Sequence, residues 1–208
     1  MDKVDQPILI IGAGPAGIAA GIQLRRYGIP ALLLDRREPG GLLWNADLVE
    51  NYPGFPNGVS GAKLVGLMNA QMQRLGVEVE REDVQVADWV DDHFLVTTQQ
   101  AQRSTHTLVI ASGTQSLPLP DVIPPDALGR VFTEVRDLIG VQGMRIVIIG
   151  AGDAAFDYAL NLSKKRNFVT ILNRGEAIKC LPLLYERAAQ EPSIQYRSGI
   201  SLSQVKVD

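Results

Sequence analysis

Two hydrophobic periods alternate along the chain, and the switches between them mark out its elements. Residues 8–11 (Ile8, Leu9, Ile10, Ile11) form a short apolar run that reads as a buried strand. The chain then breaks into Gly12-x-Gly14-x-x-Gly17 and resumes as a small-residue helical stretch with Ala19, Ala20, Ile22 and Leu24. A second apolar run, residues 31–34, ends on Asp35. Leu64, Leu67, Met68 and Met72 recur at helical spacing, which predicts a helix over residues 61–75 with its methionines as core filler. Alternation predicts a strand over 77–86, and residues 94–98 and 107–110 read as two more. Polar residues 99–104 then form the hairpin loop of a small antiparallel meander. Four prolines within residues 117–125 predict a stiff, extended connection. Beyond it come a strand at 145–149, a helix at 153–162 and strands at 168–172 and 194–197, the last one parallel. Residues 202–207 read as the first strand of a further meander.

Composition narrows the class. The 208 residues are 46% hydrophobic and 21% charged, enough for a sizeable core and unlike a disordered chain. A net charge of −3, with no basic stripe, argues against a nucleic-acid partner. One cysteine, Cys180, excludes an intrachain disulfide. No apolar run suggests a membrane span or signal peptide, so a soluble cytoplasmic protein is expected. His93 and His106 have no metal-spaced partners and are read as structural, and no metal site is expected.

The opening stretch carries specific chemistry. Gly12 allows a tight turn, Gly14 lets the backbone approach a pyrophosphate, and Gly17 permits close helix–strand packing. The following helix offers free N–H groups and partial positive charge to phosphates. Asp35, 18 residues after Gly17, is placed to accept from a ribose diol. Pro39-Gly40-Gly41 is a turn that would lie over the bound dinucleotide. Small residues Ala111-Ser112-Gly113 end a strand and admit a ring or phosphate. The theme then repeats as Gly150-x-Gly152-x-x-Ala155, and here the next strand ends on Asn173-Arg174 with no acid. An arginine there can pair with the 2′-phosphate of NADP, and Lys179 could add a second cation.

These motifs resemble the thioredoxin reductase-like flavoproteins of the pyridine nucleotide–disulfide oxidoreductase superfamily. The resemblance runs through GAGPAG (12–17), EPGGLL (38–43), VENYPGFP (49–56), ASGT (111–114) and GAGDAAFDYAL (150–160). It implies an α/β fold of two Rossmann-like dinucleotide-binding domains, three-layer ββα, with the second one truncated. Residues 1–116 would form the FAD domain, 117–143 a connection and 144–208 a partial NAD(P)H domain. It also implies that FAD is bordered by Gly12, Gly14, Pro15, Ala16, Gly17, Asp35, Arg36, Gly40, Gly41, Leu42, Asn51, Val84, Ala111, Ser112 and Gly113. NADP would be bordered by Gly150, Gly152, Asp153, Ala154, Asn173, Arg174 and Lys179. Asp157 is a candidate neighbour of the nicotinamide or a solvated helical carboxylate, and no catalytic residue is named.

Three departures from the family pattern shape the functional expectation. Thioredoxin reductases carry CxxC before the second glycine motif, where this chain has Phe132-Thr133-Glu134-Val135-Arg136-Asp137-Leu138. The wording VRDL (135–138) resembles the thioredoxin reductase-like ferredoxin–NADP reductases. The family's His-Arg-Arg is Asn173-Arg174-Gly175 here, with one cation kept and one lost. The chain also ends before the family's return to the first domain, which leaves an exposed strand edge at Val205 and Val207 and points to a homodimer or a partner chain completing the fold. The expected reaction is hydride transfer from NADPH to flavin and on to an acceptor, either a protein such as ferredoxin or a small molecule. The rivals are a disulfide reductase using thiols on a partner, and a non-catalytic flavin- or nucleotide-binding module.

Overall fold

The computed structural model describes residues 6–116 and 122–207. The chain divides into two compact units, one made of Met1–Trp44 with Gly61–Gln115, the other of Asn45–Ser60 with Ser116–Asp208.

In the first unit the elements run β1 (Gln6–Ile11), α1 (Pro15–Arg26), β2 (Leu32–Asp35), α2 (Gly61–Leu75), β3 (Glu78–Arg81), β4 (Val84–Val90), β5 (His93–Thr98) and β6 (Gln102–Ile110). They form one sheet in the order β3-β2-β1-β6-β5-β4. Strands β3, β2, β1 and β6 run parallel, whereas β4, β5 and β6 form an antiparallel meander. β6 belongs to both halves, its start pairing with β5 and its end with β1. Alternation along the strands fills both faces. Ile10 and Leu33 pack with Ile18 and Met72 on the helical side, while Leu9, Leu32 and Leu34 meet Val96 on the meander side. Helices, parallel sheet and meander thus make the three layers expected. Met68 and Met72 face the core as predicted, while Leu67 is exposed.

The single strand expected over residues 77–86 is instead two, β3 and β4, at opposite ends of the strand order. The break falls at Glu82, whose buried carboxylate accepts from the Thr98 hydroxyl at 2.8 Å and pairs with Arg103. An inward-turned charge with these partners cannot continue the ladder. The hairpin loop is also shorter than expected, because β6 starts at Gln102 and the turn closes with Thr98 N–H donating to Ala101 O at 2.9 Å. The ring nitrogens of His93 and His106 lie against the carbonyls of Asp91 and Asp92.

The second unit has a parallel sheet, β7 (Arg145–Ile149), β8 (Phe168–Leu172) and β9 (Ile194–Arg197), with helices α3 (Asp153–Ser163) and α4 (Pro182–Gln190). Its core is Phe156, Ala159, Leu162, Val169 and Ile171. The rings of Phe156, Tyr185 and Tyr196 pack with centroids 5.8 to 6.1 Å apart. α4 was not foreseen, although Pro182 at its first turn is a start signal. Residues 202–207 form no strand, contrary to the meander expected there, and none of the strands among the described residues pairs with them. The Val205 N–H instead donates to the Val122 carbonyl at 3.3 Å. Of the proline-rich connection, residues 117–121 fall outside the described residues, and Pro125 opens a 3₁₀ turn to Arg130.

Asn167 fixes the passage from α3 into β8. Fully buried, it donates to the carbonyls of Val141 and Leu162 and accepts from the Met144 N–H at 3.0 Å. Replacing it by Ala orphans buried backbone groups, so Asn167→Ala should cost the second unit about 2–3 kcal/mol. Val147→Thr, on an exposed strand position, should change stability by less than about 0.5 kcal/mol. Chemical denaturation of both variants checks the contrast.

Candidate functional site

In the first unit the glycine loop lies where the C-terminal ends of β1 and β6 come side by side. Ala111 N–H donates to Ile11 O at 2.8 Å, and a Cβ on Gly12 would stand 2.3 Å from Ala111 O. Gly12 also has φ +103°, which L residues rarely adopt. A Cβ on Gly17 would stand 1.9 Å from Gly12 O, so this glycine serves close helix–strand packing as expected. Gly14 differs, because a Cβ there meets nothing within 4 Å. It caps α1 without any side-chain bond, and Pro15 follows it. The N–H groups of Ala16 and Gly17 therefore have no partner within the helix.

Three further segments close on this loop. Asp35 at the end of β2 accepts from Ala13 N–H at 2.7 Å and from Arg37 N–H at 2.9 Å. Each carboxylate oxygen keeps a free lone pair for a ribose hydroxyl. Gly40 N–H donates to Ala13 O at 2.8 Å, and Gly41 lies so close that its Cβ would be 3.1 Å from Gly14 Cα. The 39–41 turn thus lies over the glycine loop, and Leu42 is exposed beyond it. Arg36 donates to Gln115 at 3.1 Å, which ties the end of β2 to the segment after β6, where Ser112 and Gly113 are exposed. Val84 opens β4 and packs beneath the meander. Asn51 is not in this unit. It lies in the exposed 50–56 loop of the second, where Tyr52 and Phe55 stand 6.1 Å apart and the loop lines a cavity of about 360 Å³.

The second unit repeats the plan with different fastenings. Gly150 has φ +114°, and a Cβ on Gly152, which caps α3, would meet nothing within 4 Å. The loop is held from the far side, by a parallel bridge between Gly152 and Lys179 and by Leu181 N–H donating to Asp153 Oδ1 at 2.7 Å. Asp153 and Ala154 keep N–H groups without partners in the helix. At the end of β8, Arg174 and Lys179 have exposed side chains, whereas Asn173 is fully engaged with Ala177, Tyr196 and Gly175. Cys180 is half-buried, and burial pushes its thiol up, with the Asp153 carboxylate adding to the effect.

Asp157 is neither solvated nor free. It accepts from Asp47 N–H at 3.1 Å, and Asp47 in turn pairs with Lys164. With the Asn45 bonds to Glu134 and Arg136 and the bidentate Glu50–Arg187 pair, this docks the Asn45–Ser60 segment within the second unit. None of these partners was visible in the sequence, because the segment has no hydrophobic period. Burial, more than any other cause, raises the Asp157 carboxyl above its ordinary value; the Asp47 carboxylate adds to this, while the Asp47 N–H and Lys164 oppose it.

Each unit thus presents a glycine with free space at a helix N-terminus after a parallel strand, the arrangement that defines Rossmann-like folds. The chain belongs to the pyridine nucleotide-disulphide oxidoreductase family, whose sequence profile it matches over residues 6–207. It is 30% identical over 205 residues to thioredoxin reductase of Streptomyces coelicolor, covering 97% of this chain and 64% of that protein. Thioredoxin reductase of Rickettsia typhi is 29% identical, with 92% of this chain and 63% of the relative covered. The crystal structure of Lactococcus lactis thioredoxin reductase superposes with a TM-score of 0.87 at 28% identity, over 98% of this chain and 68% of that one. The chain therefore spans slightly less than two thirds of these two curated relatives. Among the described residues no helix is long and apolar enough to cross a membrane, and no group of His, Cys, Asp or Glu could hold a metal ion.

Two predictions follow from the geometry. Gly12→Ala combines a strained φ with a backbone clash and should destabilise the first unit by more than about 2 kcal/mol, while Gly14→Ala, whose Cβ meets nothing within 4 Å, should cost less than about 1 kcal/mol for the poorer helix cap, as thermal denaturation of both variants checks. For Asp157, the folded state holds its proton more tightly than the unfolded chain. Its contribution to stability therefore falls as pH rises from the ordinary carboxylate range towards the raised folded value. Asp157→Asn keeps an acceptor for Asp47 N–H but cannot ionise. Its stability relative to wild type should therefore improve across that window, as read from denaturation midpoints at acid and neutral pH.

Proposed function

We propose that this chain is the nucleotide-binding part of an NADPH-dependent FAD oxidoreductase, with FAD in the first unit and NADPH in the second. The observation that carries this is the pairing of Gly14 with Gly41. Both lack a side chain where one would fill the approach to the α1 N-terminus, and the Asp35 carboxylate stands beside them. The first cradle fits a dinucleotide with a free ribose diol. The second, with Arg174 and Lys179 exposed and no acid at the strand end, suits one bearing a 2′-phosphate. When bound, NADPH supplies a hydride that the flavin takes up and passes on as electrons. What the protein supplies is backbone N–H groups and helix ends for the phosphates, and charge complementarity at each ribose.

For the acceptor we infer a disulfide, because the curated relatives named above are thioredoxin reductases. With Cys180 as its only cysteine, the chain holds no dithiol of its own, so the disulfide reduced is that of another protein. A one-electron acceptor such as ferredoxin is the second reading, favoured by Phe132–Leu138 having no cysteine where the family carries its dithiol.

The purified chain should carry a flavin that absorbs blue light and bleaches on anaerobic addition of NADPH. Gly14→Val, whose Cβ meets nothing within 4 Å, should lower flavin content several-fold at a stability cost of about 1 kcal/mol or less, set by the poorer helix cap. A colourless wild-type chain that takes up no added FAD overturns the proposal. Steady-state reduction of a protein disulfide but not of ferredoxin supports the first acceptor, and the reverse supports the second.

A further inference from the structure

Asn173 stands where a ligand of the second nucleotide's ribose would be sought, yet its side chain has no donor to give. Its amide nitrogen carries two hydrogens, and both are committed, one to the Ala177 carbonyl and one to the Tyr196 hydroxyl, each at 3.0 Å. Its amide oxygen accepts from the Gly175 N–H at 3.2 Å. The backbone partners fix which end of the amide is which, since a carbonyl can only accept and an N–H can only donate. The main chain is equally engaged, with Asn173 N–H donating to Arg197 O at 2.9 Å and its carbonyl accepting from Ile200 N–H at 3.0 Å. A phosphate oxygen needs donors, and this residue has spent all of its own.

What those bonds hold is the 173–177 turn, whose next residue is Arg174. Among the described residues no hydrogen bond or ion pair engages the Arg174 side chain, which is exposed. The turn's one carboxylate, Glu176, is engaged elsewhere, accepting from the Ser198 hydroxyl at 3.1 Å and lying against Gly199. Tyr196 anchors the arrangement from below. It pairs in register with Ile171, and its ring packs against Phe156 and meets Tyr185 edge-to-face.

We propose that Asn173 is a positioning residue for nucleotide specificity, clamping the 173–177 turn onto Tyr196 so that Arg174 is held outward to meet a ribose 2′-phosphate. It acts through Arg174 and touches no phosphate. This rests on the reading that the second unit takes NADPH.

Calorimetric titration of the 208-residue chain with 2′,5′-ADP and, separately, with 5′-AMP tests it without turnover. Arg174→Ala should lose roughly tenfold or more in 2′,5′-ADP affinity and leave 5′-AMP unchanged. Asn173→Ala should lose several-fold for 2′,5′-ADP alone, and Tyr196→Phe, a milder change that keeps the ring packing, should reproduce part of that loss. The deciding measurement is the double variant. In an Arg174→Ala background, Asn173→Ala should cost nothing further, because the residue it positions is gone. A further multiplicative loss there means Asn173 touches the phosphate directly, and it overturns the proposal. Equal losses for both nucleotides mean a general structural role, and they overturn it as well. A wild-type chain that binds neither nucleotide, or both equally, overturns the underlying reading and this proposal with it. That result is told apart because it is seen before any substitution is made.

Discussion

Everything in the first unit depends on how closely three backbone segments meet at the end of β1. Gly12 lies against the Ala111 carbonyl, Gly17 against the Gly12 carbonyl, and Gly41 against Gly14, at separations that leave no room for a Cβ at the first two. Close approach of this kind needs parallel strands ending at one level, and the β1–β6 and β1–β2 registers provide that. Buried Leu and Ile on both faces of the sheet hold the strands in place, so the hydrophobic layers set the spacing of the glycine loop. The opening left above Gly14 is then a product of packing. It lies at the helix end whose first N–H groups have no partner within the helix.

That dependence explains what could be read from the sequence. Elements with a strong period were legible: α2 runs over the residues expected, as do β7 and β8, and β9 pairs parallel to β8. The first cradle was legible too, because its glycines sit between two periodic runs that fix their place in the fold. Errors arose where hydrophobic spacing misled or fell silent. Val77 and Val79 fall on odd positions and Val84 and Val86 on even ones, so the alternation changes phase between the two strands, and the Thr98 and Arg103 partners of Glu82 mark where it breaks. Residues 202–207 alternate yet pair with none of the strands among the described residues, and alternation alone does not make a strand.

Buried and half-buried amides organise the parts without a period. Asn45, Asn167 and Asn173 each join segments far apart in sequence or close a turn, and each supplies donor and acceptor together. An amide can satisfy a carbonyl and an N–H at once without the cost of burying charge, which suits it to irregular chain inside a domain. Its partners are set by three-dimensional proximity, and sequence spacing does not record them. For the same reason the docking of Asn45–Ser60 within the second unit came as a structural finding: its fastenings are Asp47 to Asp157 and Glu50 to Arg187.

The two units solve one problem with opposite electrostatics. In the first, the residue at the end of the second strand is a carboxylate, and it steadies the glycine loop itself by accepting from Ala13 N–H. A negative charge is thus fixed beside the cradle, favourable to neutral hydroxyls and repulsive to a further phosphate. In the second, the equivalent position is a neutral amide that holds only its own turn. The task of steadying the loop passes to the bridge at Lys179 and to Asp153, whose carboxylate is taken up by the Leu181 N–H. The residue at the strand end then carries no charge, Glu176 further along the turn accepts from Ser198, and Arg174 and Lys179 are exposed. The backbone plan is the same in both units, and what differs is where the carboxylate that steadies the loop stands: at the strand end in the first, in the first turn of the helix in the second.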